Sequence, residues 1–311
     1  MVRAESITKR YQQIEALKSV SFSADKGELF GFIGPDGSGK TSLFRILTTL
    51  ILPDSGTASL NGLDIIKDFR KIRNLVGYMP GQFSLYSDLS VEENLEFFAT
   101  VFGSTIDVNY HLIKDIYAQI EPYKTRLAGK LSGGMKQKLA LSCALIHEPV
   151  ILILDEPTTG VDAVSRKEFW DLLMGLKAKG ITILVSTPYM DEASLCDRVA
   201  LIQKGQIMIT DTPGNIVNGF DREIVSIRSA NLYKLLKDIR EYEFTESVYP
   251  FGQDLHYTGM KKKADLADIE KFLLRRGHKD IVISRIRAGI EDVFMGLMKK
   301  EGTSESGSDI Y

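Results

Sequence analysis

The string GPDGSGKT, Gly34 to Thr41, constrains this chain more than any other stretch of its length. It follows a short apolar run, Leu29 to Ile33, that reads as a strand, and it leads into a segment that reads as a helix to about Leu50. A strand that turns into a helix through Gly34, Gly37 and Gly39 lines up backbone NH groups at the positive end of the helix dipole, which makes a nest for an anion. Lys40 adds a point charge for the outer phosphates of a nucleotide, and Thr41 offers a hydroxyl to a magnesium ion. Pro35, Asp36, Ser38 and Ser42 complete the loop. A plain glycine turn before a core helix would account for the glycines, but not for Gly-Lys-Thr in that order.

Val150 to Leu154 reads VILIL, a continuous aliphatic run suited to a central strand buried on both faces. Asp155 and Glu156 follow at its end. Open α/β sheets place ligands beyond the carboxyl ends of their strands, so Asp155 can reach a magnesium ion and Glu156 an attacking water as general base. Between the two motifs lies LSGGMKQ, Leu131 to Gln137. At a helix start, Ser132, Gly133 and Gly134 present a hydroxyl and bare NH groups to a phosphate. Ser132 also suits the N-cap of a helix over Met135 to Ile146, a reading that leaves the double glycine unexplained.

These three strings, in this order, resemble the nucleotide-binding subunit of an ATP-binding cassette (ABC) transporter over about the first 215 residues. TTGVD at Thr158 to Asp162, SRKEFW, YMDEA and a further domain after them are similar to the type-2 drug and multidrug exporter branch. The resemblance implies an α/β P-loop NTPase cassette with a helical subdomain, ATP and Mg2+ as cofactors, and ATP hydrolysis coupled to transport. It implies that each ATP lies between two subunits, with Lys40, Thr41, Asp155 and Glu156 of one chain facing Ser132, Gly133, Gly134 and Gln137 of another. Gly160 to Asp162 is similar to the D-loop that crosses the same interface. Tyr11 stands where the family stacks adenine on an aromatic ring, and an ordinary strand tyrosine is the other reading. The implied partners are integral-membrane permease subunits, which in the family dock a coupling helix near Phe83 to Leu89 (FSLYSDL). Phe83, Leu85 and Tyr86 suit subdomain core equally well.

Two departures from the family pattern bear on activity. Close relatives read MPQ where this chain reads Met79-Pro80-Gly81-Gln82, so either Gln82 serves one residue late, as a nucleotide and metal ligand, or the glutamine is absent. Relatives also place a histidine after the strand and Ser-Thr, where ITILVST is followed here by Pro188. Both losses with Glu156 retained predict a weakened site on this chain and a heterodimer with a second ABC ATPase, with a homodimer as the alternative. Two rivals are a nucleotide-gated regulatory subunit with little hydrolysis and a soluble ABC ATPase outside transport. The latter would show two cassettes or a long coiled coil before Asp155, and neither is present.

The chain has 39 basic and 41 acidic residues, net charge -2 and a sequence pI near 6.2, so no nucleic-acid footprint is visible. Met1 to Tyr11 lacks the apolar core of a signal peptide, and no stretch approaches the roughly 18 apolar residues of a membrane span. The expected location is cytoplasmic, peripheral on the inner face of the membrane. Cys143 and Cys196 read as buried free thiols, and no histidine is assigned a ligand role; His111 and His147 are read beside helices. Punctuation divides the chain into a cassette over 1–218, with its helical subdomain at about 82–147, and an accessory domain over 219–300. The accessory domain reads strand, helix, strand, strand, helix, strand, the α+β ferredoxin-like order, closed by a helix with Glu291 to Phe294. Residues 301–311 read as a disordered tail, and Lys261-Lys262-Lys263 as a solvated hairpin edge.

Overall fold

The computed structural model describes residues 1–82, 85–261 and 263–305. The chain divides into two compact units, Met1–Pro213 and Gly214–Tyr311. The first unit begins with β1 (Val2–Tyr11), β2 (Ile14–Ala24) and β3 (Leu29–Ile33), then α1 (Lys40–Leu47), β4 (Ser55–Leu60), β5 (Leu63–Asp64), α2 (Phe69–Leu75) and β6 (Val76–Met79). Three helices follow, α3 (Val91–Val101), α4 (Ile106–Tyr117) and α5 (Gly133–Leu145). The chain then returns to β7 (Ile151–Asp155), α6 (Ala163–Ala178), β8 (Thr182–Thr187), β9 (Arg198–Gln203) and β10 (Gln206–Asp211).

Two sheets form. One is antiparallel, β2-β1-β4-β5; the other runs β10-β9-β3-β8-β7-β6 and is parallel except at the β9–β10 hairpin. Every residue of β3, β7 and β8 is buried, which is why β3 and Ile151 to Leu154 of β7 read as unbroken apolar runs rather than alternating ones. Parallel pairing brings the carboxyl ends of β3, β6, β7 and β8 to one edge, so Gly34, Pro80, Glu156 and Pro188 all leave the sheet on the same side. An aromatic column ties this sheet to its neighbours: the Phe22 and Phe32 rings meet edge-on at 4.8 Å, and Phe32 and Phe44 at 5.5 Å. Each of these large rings is within the core, so truncating Phe32 to alanine is worth about 3–5 kcal/mol of stability.

The helical insertion between β6 and β7 starts at a complete capping box. Ser90 Oγ accepts from the Glu93 NH and Glu93 Oε2 accepts from the Ser90 NH. Asn94, fully buried, accepts from the Tyr86 NH and donates to the carbonyls of Tyr86 and Ser90, so one side chain fixes the approach loop. His111 lies inside α4, not beside a helix as read from the sequence. Both cysteines are buried and free, and burial pushes both thiols up, which keeps them protonated and inert. Among the described residues, no helix is long and apolar enough to cross a membrane.

The second unit begins within α7 (Pro213–Asn218) and continues with β11 (Ile224–Arg228), α8 (Leu232–Arg240), β12 (Thr245–Phe251), β13 (Asp254–Gly259), α9 (Leu266–Arg275), β14 (Val282–Ile286) and α10 (Ile290–Glu305). Its sheet has the order β12-β13-β11-β14, antiparallel throughout, in the βαββαβ sequence expected from the periodicity. Val225, Ile227, Leu255 and Tyr257 pack against Leu235 and Ile239 of α8 and Ile269 and Leu273 of α9. Asp292 of α10 meets the His256 ring on β13 at 2.7 Å. Helix α10 continues to Glu305, five residues into the segment read as a disordered tail, because nothing in Gly302-Thr303-Ser304 forbids a further turn once α10 is anchored; 306–311 lie outside the described residues. The lysine run is not a hairpin edge. Lys261 and Lys263 sit in the connection from β13 to α9, with the Lys261 ammonium 4.0 Å from the centre of the Phe244 ring, and Lys262 lies outside the described residues.

Candidate functional site

The phosphate loop is framed on three sides by backbone. The Gly34 NH donates to the Thr187 carbonyl at the end of β8, and the Gly205 NH donates to the Ser38 carbonyl. Gly39 caps α1 with φ 106°, in the left-handed region, and a Cβ there would lie 2.4 Å from the Ala16 carbonyl oxygen, so only glycine fits. Pro35, Asp36 and Gly37 are exposed at the rim, Gly39, Thr41 and Ser42 are half-buried, and Ser38 is buried with its hydroxyl unpartnered. The Lys40 ammonium is 3 % exposed; it donates to the carbonyls of Gly34 (2.7 Å) and Pro35 (3.0 Å) and lies 3.2 Å from Glu156 Oε1. A lysine held over its own loop by a carboxylate is a cation waiting for an anion, and the orphaned Ser38 hydroxyl marks the same concavity.

Asp155 ends β7 and is 1 % exposed. Its Oδ1 accepts from the Ser186 hydroxyl at 2.6 Å, and that hydroxyl accepts from the Glu156 NH at 3.0 Å. Glu156 also donates to the Ser186 carbonyl, and these two bonds hold it at φ 50°, left-handed for a residue with a side chain. Such a conformation costs roughly 1–2 kcal/mol, and the strand end holds it there. Burial, then the nearby Asp155 carboxylate, pushes the Tyr78 hydroxyl up to about 12. Gly81 lies against this corner: a Cβ there would sit 3.1 Å from the Asp155 carbonyl oxygen, so a larger residue would press on the strand end. Gln82 is exposed beside it, and Pro188 is half-buried directly after β8.

Ser132 caps α5, accepting from the Met135 NH, so the N-cap reading holds while its hydroxyl stays exposed. Gly133 is exposed, Gly134 buried and Gln137 half-buried. A Cβ on Gly134 would come within 2.6 Å of Ser165 Oγ, which accounts for the second glycine by close approach of α5 to α6. Asp162 caps α6 through the NH groups of Val164 and Ser165 and the Ser165 hydroxyl, and these bonds, the Ser165 NH first, hold its carboxyl below the usual range. Lys40, Asp155 and Glu156 therefore form one assembly at the sheet edge, and Ser132 to Gly134 with Gly160 to Ser165 form a second. Tyr11 is at the turn end of the β1–β2 hairpin, 41 % exposed and paired with the exposed Ile14.

The approach segment divides. Leu85 is buried, whereas Tyr86 is 50 % exposed and meets the Phe97 ring edge-on at 4.8 Å; Phe83 lies outside the described residues. Beside it opens a cavity of about 320 Å³ lined by Leu50, Arg73, Met79, Phe98, Phe102 and His147 among others. The His147 ring stacks on Phe102 at 3.8 Å and bonds to the Val76 carbonyl, and burial lowers its pKa.

Residues 17–159 match the ABC transporter family. The chain is 38 % identical over 218 residues to the probable multidrug ABC transporter ATP-binding protein YbhF of Escherichia coli, covering 70 % of this chain and 38 % of that protein. It is 32 % identical over 301 residues to the Nod factor export ATP-binding protein I of Burkholderia lata, covering 95 % and 96 % of the two. The chain belongs to the ABC transporter family. Among solved structures, it is similar to the dimeric post-hydrolysis state of the ATP-binding cassette MJ0796 bound to ADP and Pi, with TM-score 0.62 and 25 % identity over 68 % of this chain and 98 % of that one. The chain spans well under half the length of YbhF.

Four further residues shape the site. Ser186 orients the Asp155 carboxylate and the Glu156 backbone, Ala16 and Ile202 wall the phosphate loop, and Glu192, within YMDEA, is a buried acid among threonines. Ser186 sits in the ITILVST run, where a hydroxyl in a buried strand was a signal; the others depend on contacts between distant segments.

Proposed function

We propose that this chain is an ATP-hydrolysing subunit of an ABC exporter and drives a membrane permease by closing on a second cassette around ATP. The observation that carries the reading is Lys40, buried in a glycine loop with its ammonium shared between two carbonyls and Glu156. Incoming phosphates replace Glu156 as the partner of Lys40, and the freed carboxylate then accepts a proton from the attacking water. Thr41 and Asp155 would hold Mg2+, which supplies charge neutralisation at the outer phosphates when bound. A hard-oxygen pair with Asp155 already oriented by Ser186 suits that ion, with the remaining ligands coming from phosphate and water. Tyr11 offers an exposed ring for the adenine, and Ser132, Gly133, Gly134 and Gln137 complete the site of the opposing subunit. Tyr86 and the adjoining cavity receive a helix of the permease.

The relatives named for multidrug and Nod factor export support the export direction. Gly81 and Pro188 support a finer reading, in which the partner is a different ABC ATPase with the stronger site. A lost charge-assisted contact costs about 1.5–3 kcal/mol, so Lys40→Ala is expected to weaken Mg-ATP binding by roughly 10- to 100-fold in a calorimetric titration. Equal affinity of both forms would sink the assignment.

A further inference from the structure

Glu192 has no place in the chemistry above, yet it is 2 % exposed at the centre of a junction. It lies on the short 3-10 turn Met190–Leu195 after β8. Its Oε1 accepts from the Thr158 hydroxyl at 2.9 Å, and its Oε2 accepts from the Thr187 hydroxyl at 2.5 Å. Thr158 is two residues beyond Glu156, in the loop that leads to Gly160 and Asp162. Thr187 is the last residue of β8; its carbonyl accepts from the Gly34 NH of the phosphate loop, and its hydroxyl accepts from the Tyr189 NH. Arg166 of α6 lies 3.9 Å from Glu192 and 3.6 Å from Asp191, with its guanidinium over the Tyr189 ring at 4.8 Å. A carboxylate this buried is retained only where its oxygens are all engaged, and here they engage both flanks of the site.

We propose that Glu192 is a positioning residue that couples the Glu156–Asp162 loop to the β8 end and the phosphate loop. Pro188 has no NH and no polar side chain, so the residue after β8 cannot donate a hydrogen bond to the phosphates. The path from Gly34 through Thr187, Glu192 and Thr158 bypasses it. Movement of the phosphate loop on nucleotide binding reaches the loop that faces the opposing subunit along this chain of bonds. The inference rests on the ATPase reading for its consequence, and on the geometry alone for the tie itself.

Hydrogen exchange and steady-state kinetics on the full chain separate the possibilities. Glu192→Ala is expected to leave the Kd for Mg-ATP within about twofold, to lower kcat by about 10-fold or more with KM little changed, and to raise amide exchange across both 158–162 and 187–195. Glu192→Gln should recover most of the rate, because its amide can accept from one threonine and donate to the other. Thr158→Val and Thr187→Val should each reproduce the loss, and together be no worse than either, since both act through one carboxylate. These two variants carry the test if Glu192→Ala does not fold. Unchanged exchange and rate in Glu192→Ala would overturn the proposal, as would a loss shared equally by ATP affinity, unfolding temperature and exchange throughout the chain. A wild-type chain that neither binds nor hydrolyses ATP would defeat the ATPase reading, while local exchange would still decide whether Glu192 ties the two segments.

Discussion

Lys40 and Glu156 show how much of the chemistry rests on single side chains. Their 3.2 Å contact joins the phosphate loop to the strand end, so the carboxylate expected to activate water also neutralises the cation expected to bind phosphate. Pro188 is the other decisive residue, because it directly follows β8, the strand that lies between β3 and β7. If the missing imidazole limits hydrolysis, Pro188→His should raise phosphate release by the pure chain, by up to the ~10²–10⁴-fold typical of a positioned acid or base. An unchanged rate would mean that Pro188 merely redecorates a competent site. At this scale the sequence was legible wherever spacing alone carries the chemistry, as in Gly34 to Thr41. The role of Glu192 was not, although YMDEA was visible, because its partner Thr158 lies 34 residues away and meets it only after β7 and β8 pair.

On the proposed reading, the helical insertion offers the exposed Tyr86 to a permease. Asn94 fixes the Tyr86 backbone from both sides, so Tyr86→Ala removes an exposed ring without releasing the loop. The loss of its edge contact with Phe97 is worth about 0.5–1.5 kcal/mol, too little to unfold the unit. ATP binding should therefore persist in Tyr86→Ala while transport in reconstituted vesicles is lost; unfolding would identify Tyr86 as core instead. His147 adds a pH dependence to the same groove. Burial lowers the pKa of the folded ring despite its bond to Val76, so the unfolded chain takes up a proton below about pH 6.5 that the folded chain refuses. That contribution is complete above pH 6.5 and declines as the pH falls toward the folded value. Urea unfolding should show the decline, and His147→Phe, which preserves the stack on Phe102, should flatten it. Element positions were legible from period and punctuation, as in the strand and helix order of the accessory domain. The length of α10 and the site of the lysine run were not, since the composition of both segments alone reads as solvated.

Across the whole molecule, the two assemblies of site residues give one chain two different roles. On the proposed reading, Lys40, Asp155 and Glu156 would serve the ATP on the chain's own phosphate loop, and Ser132 to Gly134 the ATP of the opposing subunit. The departures at Gly81 and Pro188 fall beside the first assembly alone, and the proposed asymmetric hydrolysis in a heterodimer rests on that difference. The order of β-strands, the cassette and the βαββαβ unit all follow from runs and motifs visible in the sequence. The identity of the opposing subunit does not, because a surface completed by another chain leaves no period or spacing of its own. The decisive measurement is the phosphate release rate of the complex purified from native membranes, comparing Ser132→Arg with Glu156→Gln in this chain. Ser132→Arg should abolish turnover by filling the partner's phosphate clamp, while Glu156→Gln should cost well under the ~10²–10⁴-fold of a lost general base. Equal loss in both variants, or a homodimer turning over at about 1 per second or faster, would contradict the asymmetry.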